Sequence, residues 1–453
     1  MSLIEPRTLK GFRDYLPEAM IPREQLVDTA RRVYRSYGFL PIDTPALEYE
    51  EILTGKGGEE TDKQLYRFVD HGGRKVALRF DLTVPLARFV AQYANDLGMP
   101  FKRYHIASVW RGENTQRGRY REFMQCDFDT IGTTSVVSDV ETALVIHDLL
   151  HAIGIEEFSI RINDRRILNG LLEKIGLLEK SNAVLRAIDK LEKIGQPAVF
   201  DEMRREAEAS ETQLKEMQRW MPWMLAEMPA YASDARRVLF EMERMVEGSA
   251  LGLDGVQRLE RVFACLAASG ARDTAFRVDF SIARGLDYYT GTVFETVLLD
   301  EKVNGIGSVC SGGRYDNLAH LYTKLDLPGV GASLGLDRLL AAMEELGIVE
   351  KRRSTAPLFL ANFDEARLHD YLKLAASLRA AGIGVELYPE CKKLGAQLKY
   401  ADRRGYRFAL IVGADEWNSG RAQLKTLATG DTRDVPLRDG TGELSAELKA
   451  ALA

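Results

Sequence analysis

The sequence predicts an α+β domain built on an antiparallel sheet, interrupted by a block of helices and followed by a C-terminal α/β domain. Three observations carry this. Two extended stretches flank a long polar loop within residues 104–132. Helical patterns without strand signals fill the chain from about Asp164 to Arg272. After residue 357, strand and helix patterns alternate regularly. A chain of 453 residues has room for about three domains.

Taken in order, Pro22 followed by Leu26, Ala30, Val33, Tyr34 and Tyr37 predicts a helix over 22–37, closed by Gly38. FLPIDTPALE (39–48) is strand-like, and its two prolines confine it to an edge or an interface. Residues 74–93 read as a strand running into a helix. Residues 102–132 read as strand, loop and strand; the loop is rich in Arg, Gly, Asn and Gln, unlike a tight hairpin turn. Helices are expected at 169–180, 182–195, 214–228, 234–248 and 254–270. Strands resume over 275–299, and 334–347 closes the segment as a helix. KRRSTAP (351–357) looks like a linker, and the alternation after it implies a mostly parallel sheet covered on both faces. The expected division is 1–163 and 273–350 for one domain in two parts, 164–272 for a helical insertion, and 351–453 for the last domain.

Composition sets limits on function. The hydrophobic content of 45% is ordinary for a globular chain, and the net charge of −6 allows only a local basic track for nucleic acid. Cys126, Cys265, Cys310 and Cys391 form no C-x-x-C pair, so reduced thiols are expected. The first residues carry mixed charges and no apolar signal core. No apolar run approaches the roughly 18 residues of a membrane span. A cytoplasmic location is therefore expected.

The chemistry gathers in a few stretches. Alternation along the second strand of the 102–132 unit puts Phe123, Gln125, Asp127 and Asp129 on one face, and Met124, Cys126 and Phe128 on the other. The polar face suits a site wall. Arg111, Glu113, Arg117, Arg119 and Arg121 precede it, and arginine forks match phosphate oxygens; the alternative is a solvated, charged hairpin. Arg79, Asp81 and Thr83 also share a face, where the acid and hydroxyl can accept from one ammonium group; the alternative is a helix cap. Glycines in 283–291 allow close backbone approach, and Tyr288 and Tyr289, read as strand residues, should point to opposite faces. Ser311–Asp316 reads as a tight turn carrying Arg314. GVGASLGLDRLL (329–340) is a glycine-rich strand entering a helix with Arg338. Its spacing is not that of G-x-G-x-x-G, and no P-loop occurs. His147 and His151 have zinc spacing, but Asp148 stands where a zincin needs Glu and no third ligand is evident, so helix packing is expected and no metal site.

Arg111-Gly112-Glu113, the strand ending in Pro45, and GLDRL with Arg338 resemble the three signature motifs of class II aminoacyl-tRNA synthetases. ARGLDYYTGTVFE and SVCSGGRYDNL resemble the two signatures peculiar to histidyl-tRNA synthetases, and 392–416 resembles that family's anticodon-binding domain. The resemblance implies that L-histidine is activated with ATP to histidyl-adenylate and then joined to the 3′ end of tRNA(His). It implies Arg284 and Arg111 as the catalytic positive charges. Asp81, Thr83 and Gln125 would bind the ammonium; Asp129 and Tyr289 would read the imidazole, with Tyr288 shaping that pocket. ATP would meet Arg111, Glu113, Phe123 and Arg338, with Mg²⁺ only as counter-ion of the nucleotide. Arg117, Arg119 and Arg121 would meet the tRNA acceptor end, and Lys392, Lys393, Lys399, Arg403, Arg404 and Arg407 its anticodon side. A homodimer through the Pro45 strand and the helix before it is implied too.

Asp81-Leu82-Thr83 and Asp129 depart from the Glu-Gly-Thr and glutamate of many bacterial members and resemble the branch shared with eukaryotes; each acid is shorter by one methylene. Two other readings compete. A non-catalytic, histidine-sensing paralogue of this family would lack 356–453 and degrade the arginine signature, both retained here. Ligases for proline, threonine or glycine are disfavoured by Tyr288, Tyr289 and Asp129.

Overall fold

The structure is a computed structural model that describes residues 3–55, 59–116, 118–220, 235–282, 288–349, 353–437 and 442–452. The chain forms two compact units, Met1–Arg13 with Leu26–Val349, and Asp14–Gln25 with Glu350–Ala453.

The strands of the first unit are, in chain order, β1 (Leu40–Pro41), β2 (Leu47–Tyr49), β3 (Arg67–Val69), β4 (Lys75–Leu78), β5 (Phe101–Trp110), β6 (Glu122–Ile131), β7 (Phe158–Asp164), β8 (Phe276–Val278), β9 (Thr292–Leu298), β10 (Cys310–Arg314) and β11 (Gly329–Gly335). Eight of them form one sheet in the order β1-β5-β6-β11-β10-β9-β7-β8. The pairs from β5 through to β7 are antiparallel, and only the edge strands β1 and β8 run parallel to their neighbours. Pro41 lies in edge strand β1, where its missing N–H costs no ladder bond. β2, β4 and β3 make a separate small sheet.

Alternation along β6 decides what the main sheet carries. Cys126 and Phe128 enter the core, where Phe128 packs on Tyr34 and Phe39 with ring centroids 5.0 and 5.5 Å apart. The other face keeps Gln125, Asp127 and Asp129 together. The helix Val136–Ile153 covers the core side; Ser135 accepts from the Val137 N–H at its start and Gly154, at φ 91°, ends it.

In mid-chain the helices are Arg165–Lys174, Ser181–Ile188, Leu191–Glu206, Glu211–Gln218, Ala235–Val246 and Ala250–Ala268. Part of the helix expected at 214–228 lies outside the described residues. Arg165–Lys174 crosses Ala250–Ala268 at Gly170 and Gly252, which touch so closely that a Cβ on either would overlap the other helix or Val246.

Two expectations need correction. The first helix spans Pro17–Ser36, not 22–37. Its first turn is built on the Leu16 carbonyl, which accepts from Ala19 and Met20; Pro22 forfeits one bond inside the helix without ending it. Ser311–Asp316 is not a turn but mostly strand β10, central in the sheet. Gly312 permits this, because a side chain there would overlap the Gly331 carbonyl and Ala332 on β11. Arg314 is buried and structural, bound to Asp139 and Asp316 at 2.9 and 3.0 Å.

The second unit adds β12 (Leu358–Leu360), β13 (Val385–Leu387), β14 (Phe408–Ile411), β15 (Arg421–Thr426) and β16 (Thr432–Pro436), in the order β13-β12-β14-β15-β16. The first three are parallel, as alternation with helices Leu368–Ala380 and Leu394–Arg403 requires. β15 and β16 extend the sheet as an antiparallel hairpin that the sequence pattern does not announce. Their apolar signal is thin: Ala422, Leu424 and Val435 alone among their residues are buried apolar side chains.

Candidate active site

The polar face of the main sheet floors a cavity of about 370 Å³, a size suited to small ligands. Gln125 and Phe123 of β6, Ser333 and Gly335 of β11, Ser311 and Gly312 of β10 and Glu295 of β9 line it. Asp81 and Thr83, Arg111 and Glu113, Tyr288 and Tyr289, Arg119, and Arg338 complete its walls. Gly331 keeps the floor low, since a side chain there would overlap Asp129 and the Phe128 carbonyl.

One end suits a nucleotide. Arg111 donates Nε–H to the Phe80 carbonyl at 2.9 Å and its guanidinium lies 5.1 Å from the Phe123 ring centroid. Arg338 rises from the helix Leu336–Leu346 and donates to the Ser308 carbonyl. Burial lowers the Arg338 pKa to about 10, with Arg119 and Arg111 adding repulsion and Glu113 and Glu295 opposing it. Arg111, Arg119 and Arg338 thus crowd positive charge into a confined space, which an anion would relieve.

The other end suits an ammonium group. Asp81 caps the helix Thr83–Tyr93, accepting from Val84 N–H at 3.1 Å with one oxygen; the other faces the Tyr288 hydroxyl at 3.5 Å. Capping and site-lining, posed as alternatives from sequence, coexist in one carboxylate. Burial pushes Asp81 up to about 6 against the pull of Arg111 and Arg103. Gln125 donates Nε2–H to Ser333 Oγ at 2.8 Å, while its Oε1 is buried and has no hydrogen-bond partner among the described residues.

Tyr288 and Tyr289 do not point to opposite faces. They precede β9 in a turn, where strand alternation does not apply, and both rings line the cavity with centroids 5.1 Å apart. Burial, then the charge of Asp129, raises the Tyr289 pKa well above the usual phenol range, so its hydroxyl keeps its proton.

Asp129 does not reach the cavity wall. It lies beneath it, ion-paired with Arg103 at 2.6 Å and accepting from the Tyr315 hydroxyl. Arg121 is also off the wall; it donates to the Glu113 and Lys10 carbonyls at 3.2 and 3.4 Å and braces the loop. Arg117 and Arg284 lie outside the described residues. Sequence reasoning misses Arg103, Ser333 and Tyr315. Cross-strand register, Arg103 opposite Asp129 and Ser333 opposite Asp127, is the signal that finds the first two. His147 stacks on Phe276 and its ring centroid is 4.4 Å from that of His151. Among the described residues no three His, Cys, Asp or Glu side chains group as a metal ion requires.

Residues 11–339 match the family model described as histidyl-tRNA synthetase. The chain belongs to the histidyl-tRNA synthetase family. Residues 358–447 match the anticodon binding domain model. A histidine–tRNA ligase of Rhodopirellula baltica is 58% identical over 433 residues, 96% of each chain. One from Helicobacter hepaticus is 46% identical over 95% of this chain and 96% of its own. The crystal structure of histidyl-tRNA synthetase from Nostoc sp. PCC 7120 superposes with a TM-score of 0.86 at 35% identity, covering 99% of this chain and 100% of that one. The expected fold class holds: a synthetase-type catalytic domain on a mixed, largely antiparallel sheet, and a C-terminal anticodon-binding domain of sheet and helices.

Proposed function

We propose that the cavity holds ATP and L-histidine side by side, and that the chain, a histidine–tRNA ligase, forms histidyl-adenylate there before passing histidine to the 3′ end of tRNA(His). The observation that carries this is the polarity of the cavity: arginines around Phe123 at one end, and at the other the Asp81 carboxyl and Gln125, whose Oε1 has no hydrogen-bond partner among the described residues. The histidine carboxylate attacks the α-phosphorus, an acyl–phosphate bond forms, and pyrophosphate leaves with the electrons of the broken P–O bond. A carboxylate is already a nucleophile, so no general base is required. Negative charge grows on the phosphate, and Arg111 and Arg284 meet it with fixed positive charge.

Adenine is sandwiched between Phe123 and Arg338, a cation–π arrangement, with Glu113 reading its amino group. Asp81, Thr83 and Gln125 take the α-ammonium. An arriving cation favours the ionised form of Asp81, whose burial otherwise disfavours it. Tyr289 donates to the imidazole; Asp129, fixed by Arg103 and Tyr315, supports that contact from below and Tyr288 shapes the pocket. Such polar readers reject apolar amino acids without editing. Mg²⁺ accompanies the nucleotide as its counter-ion.

The tRNA acceptor end meets Arg117, Arg119 and Arg121, and the anticodon side meets the exposed Lys392, Lys393, Lys399, Arg403, Arg404 and Arg407. Residues 164–272 act as an inserted domain within the catalytic domain of 1–163 and 273–350, ahead of 351–453. The chain pairs as a homodimer through the Pro45 strand and the helix before it, a region where Leu40, Leu47 and Tyr49 are exposed. No helix among the described residues is long and apolar enough to cross a membrane, which accords with a cytoplasmic enzyme. The test is pyrophosphate exchange into ATP with each of the twenty amino acids, on wild type and Arg284→Ala. Exchange with histidine alone, collapsing in the variant, is the expected result; exchange with another amino acid, or an unaffected variant, refutes it.

A further inference from the structure

Asp127 and Ser333 have no role in the proposed function, yet Ser333 lines the cavity and Asp127 is its neighbour across the strands. The register of β6 and β11 places them opposite one another, and Asp127 is 2% exposed. The Ser333 side chain therefore faces the Asp127 carboxyl, and that interaction favours the ionised carboxylate against its burial. The Ser333 hydroxyl oxygen accepts from Gln125 Nε2 at 2.8 Å.

The chain of bonds has a direction. A serine hydroxyl has one proton, and above about pH 7, where Asp127 is ionised, its carboxylate only accepts. Once Ser333 gives its proton to Asp127, its oxygen can only accept from Gln125. The Gln125 amide must then turn its NH₂ to Ser333. Its carbonyl Oε1 is left buried and without a hydrogen-bond partner among the described residues, on a side chain that lines the cavity. The bond to Ser333 is thus what fixes the amide.

We propose that Asp127 and Ser333 are positioning residues for amino-acid recognition: together they turn the Gln125 carbonyl into the cavity, where it accepts from the α-ammonium of the bound amino acid. The inference rests on the reading that Gln125 meets the ammonium. A flipped amide would aim two N–H donors at a cation and repel it. Ser333 therefore serves histidine binding through Gln125 and leaves the nucleotide end alone. The shared face also explains why three side chains, one on β11 and two on β6, are needed for one acceptor: the carboxylate polarises the hydroxyl, and the hydroxyl orders the amide.

The experiment is histidine-dependent pyrophosphate exchange with full-length variants. Ser333→Ala is expected to raise the KM for histidine about tenfold, a typical loss for a hydrogen bond to a charged group, with kcat and the KM for ATP within about twofold. Ser333→Thr, which restores the hydroxyl, should return the KM to near wild type. Gln125→Met should raise the histidine KM at least as much, and adding Ser333→Ala to it should change nothing further. An unchanged KM in Ser333→Ala beside a raised KM in Gln125→Met overturns the relay and leaves the ammonium reading intact. Additive effects in the double variant, or no restoration by threonine, overturn it too. An unchanged KM in Gln125→Met removes the ammonium reading and the relay with it. Should Ser333→Ala not fold, Asp127→Asn decides by the same rise, because an amide both donates and accepts and so leaves the hydroxyl proton undirected.

Discussion

Arg103 and Asp129 oppose each other across β5 and β6 as an ion pair at 2.6 Å, with the arginine side chain fully buried. Asp127 lies on the same face, so one buried cation faces two buried carboxylates. Removing one partner of such a pair leaves an uncompensated charge in a dry place and typically costs about 3–5 kcal/mol. Arg103→Met should lower the urea midpoint of unfolding by an amount of that order. Arg103→Met with Asp129→Leu should recover part of the loss, because only Asp127, which can take up a proton, is left without its cation. A single variant as stable as wild type would show that the pair is solvated and not buried as described.

Asp127 ties stability to pH. Burial is the chief cause that pushes its carboxyl to about 7, with Asp129 adding and Arg103 opposing. An unfolded aspartate titrates near 3.9. The folded state therefore holds the proton more tightly than the unfolded state. Its contribution is most favourable below about pH 4, fades as pH rises to about 7, and is flat above. Asp127→Asn removes that loss. Its Tm relative to wild type should rise between pH 5 and pH 8 in calorimetric scans, although histidine binding weakens. A Tm difference independent of pH would mean that Asp127 is not held in a desolvated place.

Much of this is legible in the chain. The polar face of β6 follows from alternation alone, because Met124, Cys126 and Phe128 interleave with Gln125, Asp127 and Asp129. The helix–strand alternation after residue 357 yields the parallel part of the second sheet for the same reason. Depth is not legible. Asp129 and Gln125 look equivalent by spacing, yet one pairs with Arg103 beneath the floor and the other lines the cavity, a difference set by β5 and Tyr315 from distant parts of the chain. Nor can alternation place Tyr288 and Tyr289, since it holds only where the backbone is extended. β10 reads as a turn because glycines signal turns; here they signal tight strand packing.

Gly331 tests that packing. A methyl group there would overlap Asp129 and the Phe128 carbonyl on β6, which are backbone or pinned by Arg103. Overpacking commonly costs about 1–3 kcal/mol, and here no flexible side-chain end can yield. Gly331→Ala should lower the Tm and raise the KM for histidine more than that for ATP. Gly347 is the control for backbone strain without a clash: its φ is 72°, and a methyl group there would meet nothing within 4 Å. Gly347→Ala should lower Tm and leave the histidine KM unchanged. Parallel KM effects in both would refute a local clash at the floor.

The second unit offers a separation of the two half-reactions. Lys393 and Lys399 are exposed, the first just before the helix Leu394–Arg403 and the second within it. Arg407 on the same unit is partly committed, donating to the Leu452 and Ala451 carbonyls at 2.9 and 3.3 Å. If Lys393 and Lys399 contact tRNA phosphates, Lys393→Glu and Lys399→Glu should leave histidine-dependent pyrophosphate exchange unchanged and raise the KM for tRNA in aminoacylation. In a plot of log affinity against log salt, each lost contact should flatten the slope by roughly 0.7–0.9. Arg407→Glu should instead lower the thermal stability, since it removes the group that satisfies the last helix carbonyls. Unchanged aminoacylation in the lysine variants at physiological salt would move the anticodon-side surface away from this helix.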